Sequence, residues 1–260
     1  MTTRATTTTT TVPTTTTTLV PNECTVGPVS GVDPDGFFAQ GCEVLGIPVV
    51  ASADVGSEAI AVAAERLYEP LVRAPHLVGA LQGAGIAIAV IGDDEVITDL
   101  PPFVDLYDLY PGIDWRRTGR SFSATDEVRW VAGAEENLLC ATEGDRYQGE
   151  DMFLRELART VRDFALRQVA QDIDASIEQS YNRAVILEGR WDDTLAENNS
   201  DTYWMEAVQS YFDANAEADP PDAAHNFVDT REELQEHDPL AYELVAAVFG
   251  DIEWRGPCGP

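Results

Sequence analysis

The sequence predicts an α+β fold, with a small strand-and-helix region first and a mainly helical half after it. Short apolar runs bounded by turn residues, typical of buried strands, are confined to the first half of the chain. Amphipathic segments of helical length dominate the second half. We therefore expect a single domain over 31–260, with an α+β part at 31–134 and a helical part at 135–260.

The segment 1–30 differs in composition from the rest of the chain. It opens with the threonine-rich run MTTRATTTTTTVPTTTTTLVP. Such tracts cannot bury a core and behave as extended stalks, so we interpret 1–30 as a disordered Thr/Pro-rich tail or stalk. Stalks of this kind usually follow an export signal. No signal peptide is visible in the chain, and we predict an extracellular or envelope-associated protein whose signal lies upstream or was removed. A cytoplasmic tail is the alternative.

Elements of the first half follow from local patterns. The stretch 46–55, GIPVVASADV, predicts a short buried strand, and 57–72 predicts a helix with Ser57 as its N-cap. The stretch 85–98 predicts a buried strand, an acidic turn and a second strand. The turn-rich stretch 100–124 contains tandem prolines and a Pro-Gly pair, and irregular segments of this length often line a site.

The second half reads as a series of helices. The pattern DTREEL predicts a helix start capped by Asp229 or Thr230. Longer helices are predicted near 150–168, 170–188, 201–215 and 238–249.

The charge of the chain limits its partners. Asp and Glu number 46 and Arg and Lys together 16, giving a formal net charge of −30, and every basic residue is arginine. Such a surface repels nucleic acid and anionic membranes, so we predict neither as a partner. No stretch is long and apolar enough for a transmembrane segment.

The cysteines favour an oxidising compartment. Their spacing matches no zinc ribbon or Cys-x-x-Cys pair, and an even number suits two disulfides. Three pairings are open, and four buried thiols are the alternative. The residues are Cys24, Cys42, Cys140 and Cys258.

The helix over 151–168 carries the main functional question. Its apolar residues form one broad stripe, while Arg155, Arg159 and Arg162 lie on the opposite side. Arg155 and Arg159 are four apart and therefore neighbours on one face. This periodicity favours a solvated charged face, but a metal-binding helix that faces a cleft has the same pattern.

The order of motifs separates these interpretations. LRELAR, at 154–159, has the frame of His-Glu-x-x-His with arginine at both histidine positions, and YWMEAVQ follows at 203–209. With GIPVVASADV, AIAVIGDDEVITDLPP and a downstream His-Asn segment, the chain resembles a family of secreted bacterial and fungal zinc metallopeptidase-like proteins of the Glu-zincin group. The resemblance covers roughly 40–255.

The resemblance implies roles for particular residues. It places Arg155, Arg159 and Glu206 at the three zinc-ligand positions and Glu156 at the position of the general base. Glu156 is expected to be idle, because arginine offers no lone pair to a metal and the two remaining carboxylates make a weak zinc site. We therefore predict no metal and no other cofactor. Tyr203 and His225 are further candidates for assisting catalysis.

Two guanidinium groups would bring the same charge as the zinc ion they replace. We hypothesise that Arg155 and Arg159 bridge Glu206 and Glu156 in an arginine–glutamate cluster. A non-catalytic homologue, or pseudoenzyme, that binds a peptide or an envelope component is then the predicted function. An active metal-dependent peptidase or hydrolase with a non-standard site is one alternative. A structural surface domain on a Thr-rich stalk is the other, and it would have a filled cleft with no accessible pocket around Arg155 and Glu206.

Overall fold

The computed structural model describes residues 24–141 and 143–259. The threonine-rich run of the predicted stalk, at 1–23, lies outside the described residues. The remainder of that segment carries the first strand and one half of a disulfide, at Cys24. Within the described residues, no helix has the length and apolar character needed to cross a membrane.

Strands from the first half of the chain form a mixed β-sheet. Its six strands have the order β1-β2-β3-β4-β6-β5, and β3, β4 and β6 are parallel to one another. Every residue of β4 is buried, as expected for a central parallel strand covered on both faces. The strands are β1 (Gly27–Pro28), β2 (Gln40–Val44), β3 (Ile47–Ala51), β4 (Ala87–Ile91), β5 (Ser121–Phe122) and β6 (Trp130–Ala134).

The α+β class is confirmed, and the four long helices of the second half lie where the sequence predicts them. Two of them continue through π-helical turns, at Arg162–Leu166 and Asn182–Leu187. The helices of the first half are α1 (Ser57–Leu71), α2 (Pro75–Gly83), α3 (Leu106–Leu109), α4 (Trp115–Thr118) and α5 (Glu135–Leu138). Those of the second half are α6 (Met152–Val161), α7 (Arg167–Val169), α8 (Gln171–Tyr181), α9 (Ser200–Tyr211), α10 (Arg231–His237) and α11 (Pro239–Phe249).

Local predictions are partly confirmed. Thr230 caps α10 in a capping box, since its side chain accepts from the amide of Glu233 and the Glu233 carboxylate accepts from Thr230. Ser57 is the first helical residue of α1 and makes no capping bond, so that prediction is wrong. The predicted second strand in 85–98 is also wrong, because β4 already pairs with β3 and β6 and leaves no edge open. Its residues form a short 3₁₀ turn at Ile97–Asp99.

The described residues form two disulfide bonds. Cys24 pairs with Cys42, and Cys140 pairs with Cys258. The second bond joins residues 118 positions apart and ties the C-terminal segment to the residues that follow α5. Disulfides persist in oxidising compartments, so these two indicate an extracellular or otherwise oxidising environment.

The core lies on both faces of the sheet. The larger apolar cluster joins the sheet to α1, α6, α9 and α11, and the smaller one lies under the turn-rich segment 100–124. Helix α6 approaches the sheet closely at Gly133 of β6, where a Cβ atom would lie 2.9 Å from Cβ of Phe153. This close approach needs a glycine and sets the distance between α6 and the sheet.

Candidate functional site

The candidate site lies where α6 and α9 pack against each other. The side chain of Asp151 caps α6, and it forms an ion pair with the fully buried Arg66. Two side chains of α9 reach across to the α6 backbone. Gln209 donates to the carbonyl of Asp151 at 3.1 Å, and the Trp204 indole donates to that of Ala158 at 3.0 Å. These bonds set the register between the two helices.

Arg155 lies between two glutamates. Its Nε atom is 3.4 Å from Oε1 of Glu206, and its Nη1 atom is 3.5 Å from Oε1 of Glu156. The side chain is 13% exposed, so little water competes for these contacts. Burial alone would lower the pKa of Arg155, but Glu156, Glu206 and Glu150 outweigh it, and the pKa is raised. Arg155 is therefore a permanent cation inside an acidic cluster.

Glu206 is the most deeply buried carboxylate of this cluster. It is 1% exposed, and its Oε2 atom accepts from the amide of Asn215 at 3.2 Å. Burial raises the pKa of Glu206, Arg155 opposes that rise and Glu150 adds to it. Its two oxygens thus face one cationic and one neutral donor.

Glu156 is tied to the strand beside it. Its Oε1 atom accepts from the hydroxyl of Ser121 at 3.0 Å, and its Oε2 atom accepts a short hydrogen bond from Ser123. One turn later, Thr160 accepts from the amide of Ala124 at 3.1 Å. The segment that begins with β5 is therefore bonded along α6, and both oxygens of Glu156 are engaged.

Glu150 and His225 extend the cluster. Nε2 of His225 lies 3.5 Å from Oε2 of Glu150, and the amide of Gln209 lies 3.4 Å from the same oxygen. The hydrogen bond and charge of Glu150 raise the pKa of His225, with burial opposing. Sequence reasoning singled out His225 but missed the part played by Glu150. A signal was present in the sequence, since Glu150 stands next to Asp151, the residue that caps α6.

Arg159 does not join this cluster. Its Nε atom is 3.5 Å from Asp163 and its Nη2 atom is 3.8 Å from Asp201, and the side chain is 42% exposed. The hypothesis that both arginines bridge Glu206 and Glu156 is therefore wrong for Arg159. Asp163, one turn further along the chain, and Asp201, at the start of α9, bind the Arg159 side chain outside the cluster.

Arg162 is fully buried, whereas the helical pattern placed it on a solvated face. Its guanidinium lies 2.8 Å from both Asp174 and Asp201, and it also pairs with Glu178. The π-helical turn that starts at Arg162 shifts the helix register there, which a strict helical wheel does not anticipate.

Tyr203 belongs to a separate hydrogen-bond chain. Its hydroxyl donates to Asp238 at 2.8 Å and lies 2.8 Å from the hydroxyl of Ser180. Burial and the neighbouring Asp238 raise its pKa far above the ordinary value. Its hydroxyl bonds are therefore made to α8 and the start of α11.

A recess of about 270 Å³ opens beside Glu156 and Arg159. The turn-rich stretch 100–124 supplies most of its wall, and neither Arg155 nor Glu206 is part of that wall. The other wall residues are mainly aromatic or hydroxylated: Tyr110, Ile113, Trp115, Ser121, Phe122, Ser123 and Thr125.

The donors present do not fit the zinc ion that the resemblance implies. The resemblance places Arg155 at one ligand position, but its guanidinium has no lone pair for a metal and lies 3.4 Å from Glu206. Within 24–141 and 143–259, no three His, Cys, Asp or Glu side chains are grouped so as to hold a metal ion. A zinc site needs about four ligands, mostly nitrogen or sulfur.

Comparisons with known proteins leave the family open. The sequence matches none of the protein-family models and none of the curated proteins against which it was compared. Among solved structures, the chain is similar to the Pro-Pro endopeptidase of Paenibacillus alvei. The identity is 20% and the TM-score 0.49, and the match covers 77% of this chain and 96% of the other.

Proposed function

We propose that this protein is a non-catalytic metallopeptidase-like protein that binds a peptide. One observation carries the proposal: the guanidinium of Arg155 lies 3.4 Å from Glu206 and 3.5 Å from Glu156. A single cation thus occupies the space between the two glutamates that would serve a metal and a water in an active enzyme.

The carboxylate of Glu156 is poorly placed to act as a general base. Both of its oxygens accept hydroxyl hydrogen bonds, and Arg155 adds a positive charge nearby. A general base needs an oxygen within hydrogen-bond reach of the water it deprotonates, and both oxygens of Glu156 are already bonded to protein hydroxyls. In a metallopeptidase, peptide hydrolysis also depends on a Lewis acid that polarises the carbonyl, and the donor set around Glu206 does not fit one.

A binding role is favoured over a purely structural one by the open recess beside Glu156. Arg155 and Glu206 lie outside this recess, but the recess has about 270 Å³ of space and an aromatic wall beside Glu156, which a purely structural domain does not need. Apolar walls with a few polar groups are typical of ligand sites. The two disulfides and the threonine-rich run suit a partner outside the cell, such as a peptide of the cell envelope.

Peptide display tests the proposal directly. Peptides selected on the whole chain should bind the wild type and lose at least tenfold in affinity with Ile113→Asp, because Ile113 is 41% exposed on the recess wall. The matched control is Leu187→Asp, which alters an exposed apolar residue outside the recess. Equal loss with both variants, or failure to select any peptide, would contradict the proposal.

A protease assay tests the catalytic alternative. We expect no cleavage of casein by the purified protein, with or without added zinc. Cleavage that a chelator abolishes would favour the active-peptidase alternative instead.

A further inference from the structure

A second and larger cavity lies between α8 and α11. Its volume is about 550 Å³, within the range of small-molecule sites, and it shares no wall residue with the recess beside Glu156. Two leucines of α11, Leu240 and Leu244, form its apolar wall, and Ser180 of α8 lies at its base with only 4% of its surface exposed.

The hydrogen-bond chain behind Ser180 determines what its hydroxyl can do. Asp238 accepts from the Trp191 indole at 3.0 Å, from the Tyr203 hydroxyl at 2.8 Å and from the Ala241 amide at 3.1 Å. All three of these groups are donors, so the Asp238 carboxylate is the acceptor in each bond. The Tyr203 hydroxyl therefore donates its only proton to Asp238. In the 2.8 Å hydrogen bond between Ser180 and Tyr203, Ser180 must then be the donor. The Ser180 oxygen is left as an acceptor.

Two other wall groups are also acceptors. Ser176 donates its proton to the carbonyl of Asp172 at 2.7 Å, which leaves lone pairs on its oxygen. Glu243 is exposed on α11, and no ion pair engages its carboxylate within the described residues. The cavity thus offers two hydroxyl oxygens and one free carboxylate beside an apolar wall.

One cation, Arg183, also borders the cavity. Its Nε atom lies 2.9 Å from Glu188, and Arg190 lies 2.6 Å from the other oxygen of the same carboxylate. Arg183 therefore has a counter-ion of its own, and its remaining effect on the cavity is that of a partly neutralised charge.

We propose that this cavity binds a primary ammonium group carried on an aliphatic chain. The oxygens of Ser180, Ser176 and Glu243 accept its three N–H bonds, and the two leucines cover the chain. The net charge of −30 draws cations toward the surface. Both a free aliphatic amine and a lysine side chain have this chemistry. Since the chain contains no lysine, a lysine ligand comes from another molecule.

Isothermal titration of the whole chain with n-hexylamine tests the assignment, with hexanoate and 1-hexanol as probes of the same length. We expect saturable binding of hexylamine, and weaker binding of both other probes. Ser180→Ala should weaken hexylamine about tenfold, the loss of one hydrogen bond to a charged group. The bond from Tyr203 to Asp238 does not involve Ser180, so we expect this variant to fold. Glu243→Gln should weaken binding about two- to fivefold, as for an exposed ion pair.

Two control variants make the result specific. Glu236→Gln changes the net charge equally but lies outside the cavity wall, so its hexylamine affinity should equal that of the wild type. Arg183→Gln should leave hexylamine binding unchanged or strengthen it, because it removes a like charge. Nα-acetyl-lysine methylamide binding more tightly than hexylamine would assign the site to a lysine side chain, and the reverse to a free amine.

Three results would overturn the proposal. The first is an absence of saturable hexylamine binding. The second is hexanoate binding as tightly as hexylamine, with Arg183→Gln weakening it. The third is hexylamine binding that neither Ser180→Ala nor Glu243→Gln alters while the melting temperatures show both variants folded.

Discussion

Arg155→Met tests the arginine–glutamate cluster by removing its cation while keeping an unbranched side chain. In the wild type the guanidinium lies 3.4 Å from Glu206 and 3.5 Å from Glu156. The variant leaves Glu206, which is 1% exposed, with the neutral amide of Asn215 as its remaining donor within the described residues. We therefore expect a marked loss of stability.

The size of the loss follows from the geometry. A charge pair at 3.4 Å has a gross attraction of about 5 kcal/mol at an effective dielectric constant near 20. Desolvation offsets part of this, and removal of one partner of a buried pair costs about 3–5 kcal/mol. In a chain of this size, about 3 kcal/mol corresponds to a fall of roughly 6–12 °C in melting temperature.

The loss should depend on pH. Burial already raises the pKa of Glu206, and removing Arg155 raises it further. A carboxyl whose folded pKa exceeds its unfolded value contributes stability at low pH, and that contribution is lost as pH rises through the folded pKa. The deficit of Arg155→Met should therefore be larger at pH 8 than at pH 5.

Calorimetry at both pH values provides the measurement, and Arg159→Met is the matched control one turn away. Arg159 is 42% exposed, so its loss should cost less than about 1 kcal/mol. Equal melting temperatures for wild type and Arg155→Met, or equal deficits for the two variants, would refute the reasoning.

Three further predictions concern stability. Burial, with Glu233 nearby, raises the pKa of Asp229 to about 7. The stability of Asp229→Asn relative to the wild type should therefore increase as the pH rises from 5 to 8. A difference in melting temperature that stays the same over this pH range would contradict the prediction. Arg162→Met should cost about 3 kcal/mol in urea unfolding at low salt, because it leaves three carboxylates without their shared partner; a cost below 1 kcal/mol would contradict that. Replacing the Cys140–Cys258 pair by serine should cost about 5 kcal/mol, against about 3 kcal/mol for Cys24–Cys42, since the loop it closes is longer; the reverse order in calorimetry would contradict the loop-entropy argument.

Regular periodicity explains what the sequence could predict. Apolar runs marked β3 and β4 because strands covered on both faces are apolar almost throughout, and an apolar stripe marked α6 because burial of one helix face leaves a repeating pattern. The capping box at Thr230 was readable because it is a local arrangement of side chain and backbone. The contact between Arg155 and Glu206 agrees with the motif order, which places α6 and α9 together.

Contacts that depend on tertiary structure could not be predicted from the sequence. Arg159 forms an ion pair with Asp201 on α9, and no local sequence pattern distinguishes Asp201 from Glu206 as its partner. The hydroxyls of Ser121 and Ser123 reach Glu156 only because β5 lies along α6. The disulfide pairing likewise depends on which cysteine-containing segments the fold brings together.

Zinc content is the most direct test of the central claim, that Arg155 stands in place of a metal. Wild-type protein, purified without chelator, incubated with zinc and desalted, should contain far less than one zinc per chain by mass spectrometry. The double variant Arg155→His with Arg159→His, which places two imidazole groups four residues apart on α6, should retain more zinc than the wild type. A stoichiometric zinc that stays with the wild-type protein through desalting would contradict the account.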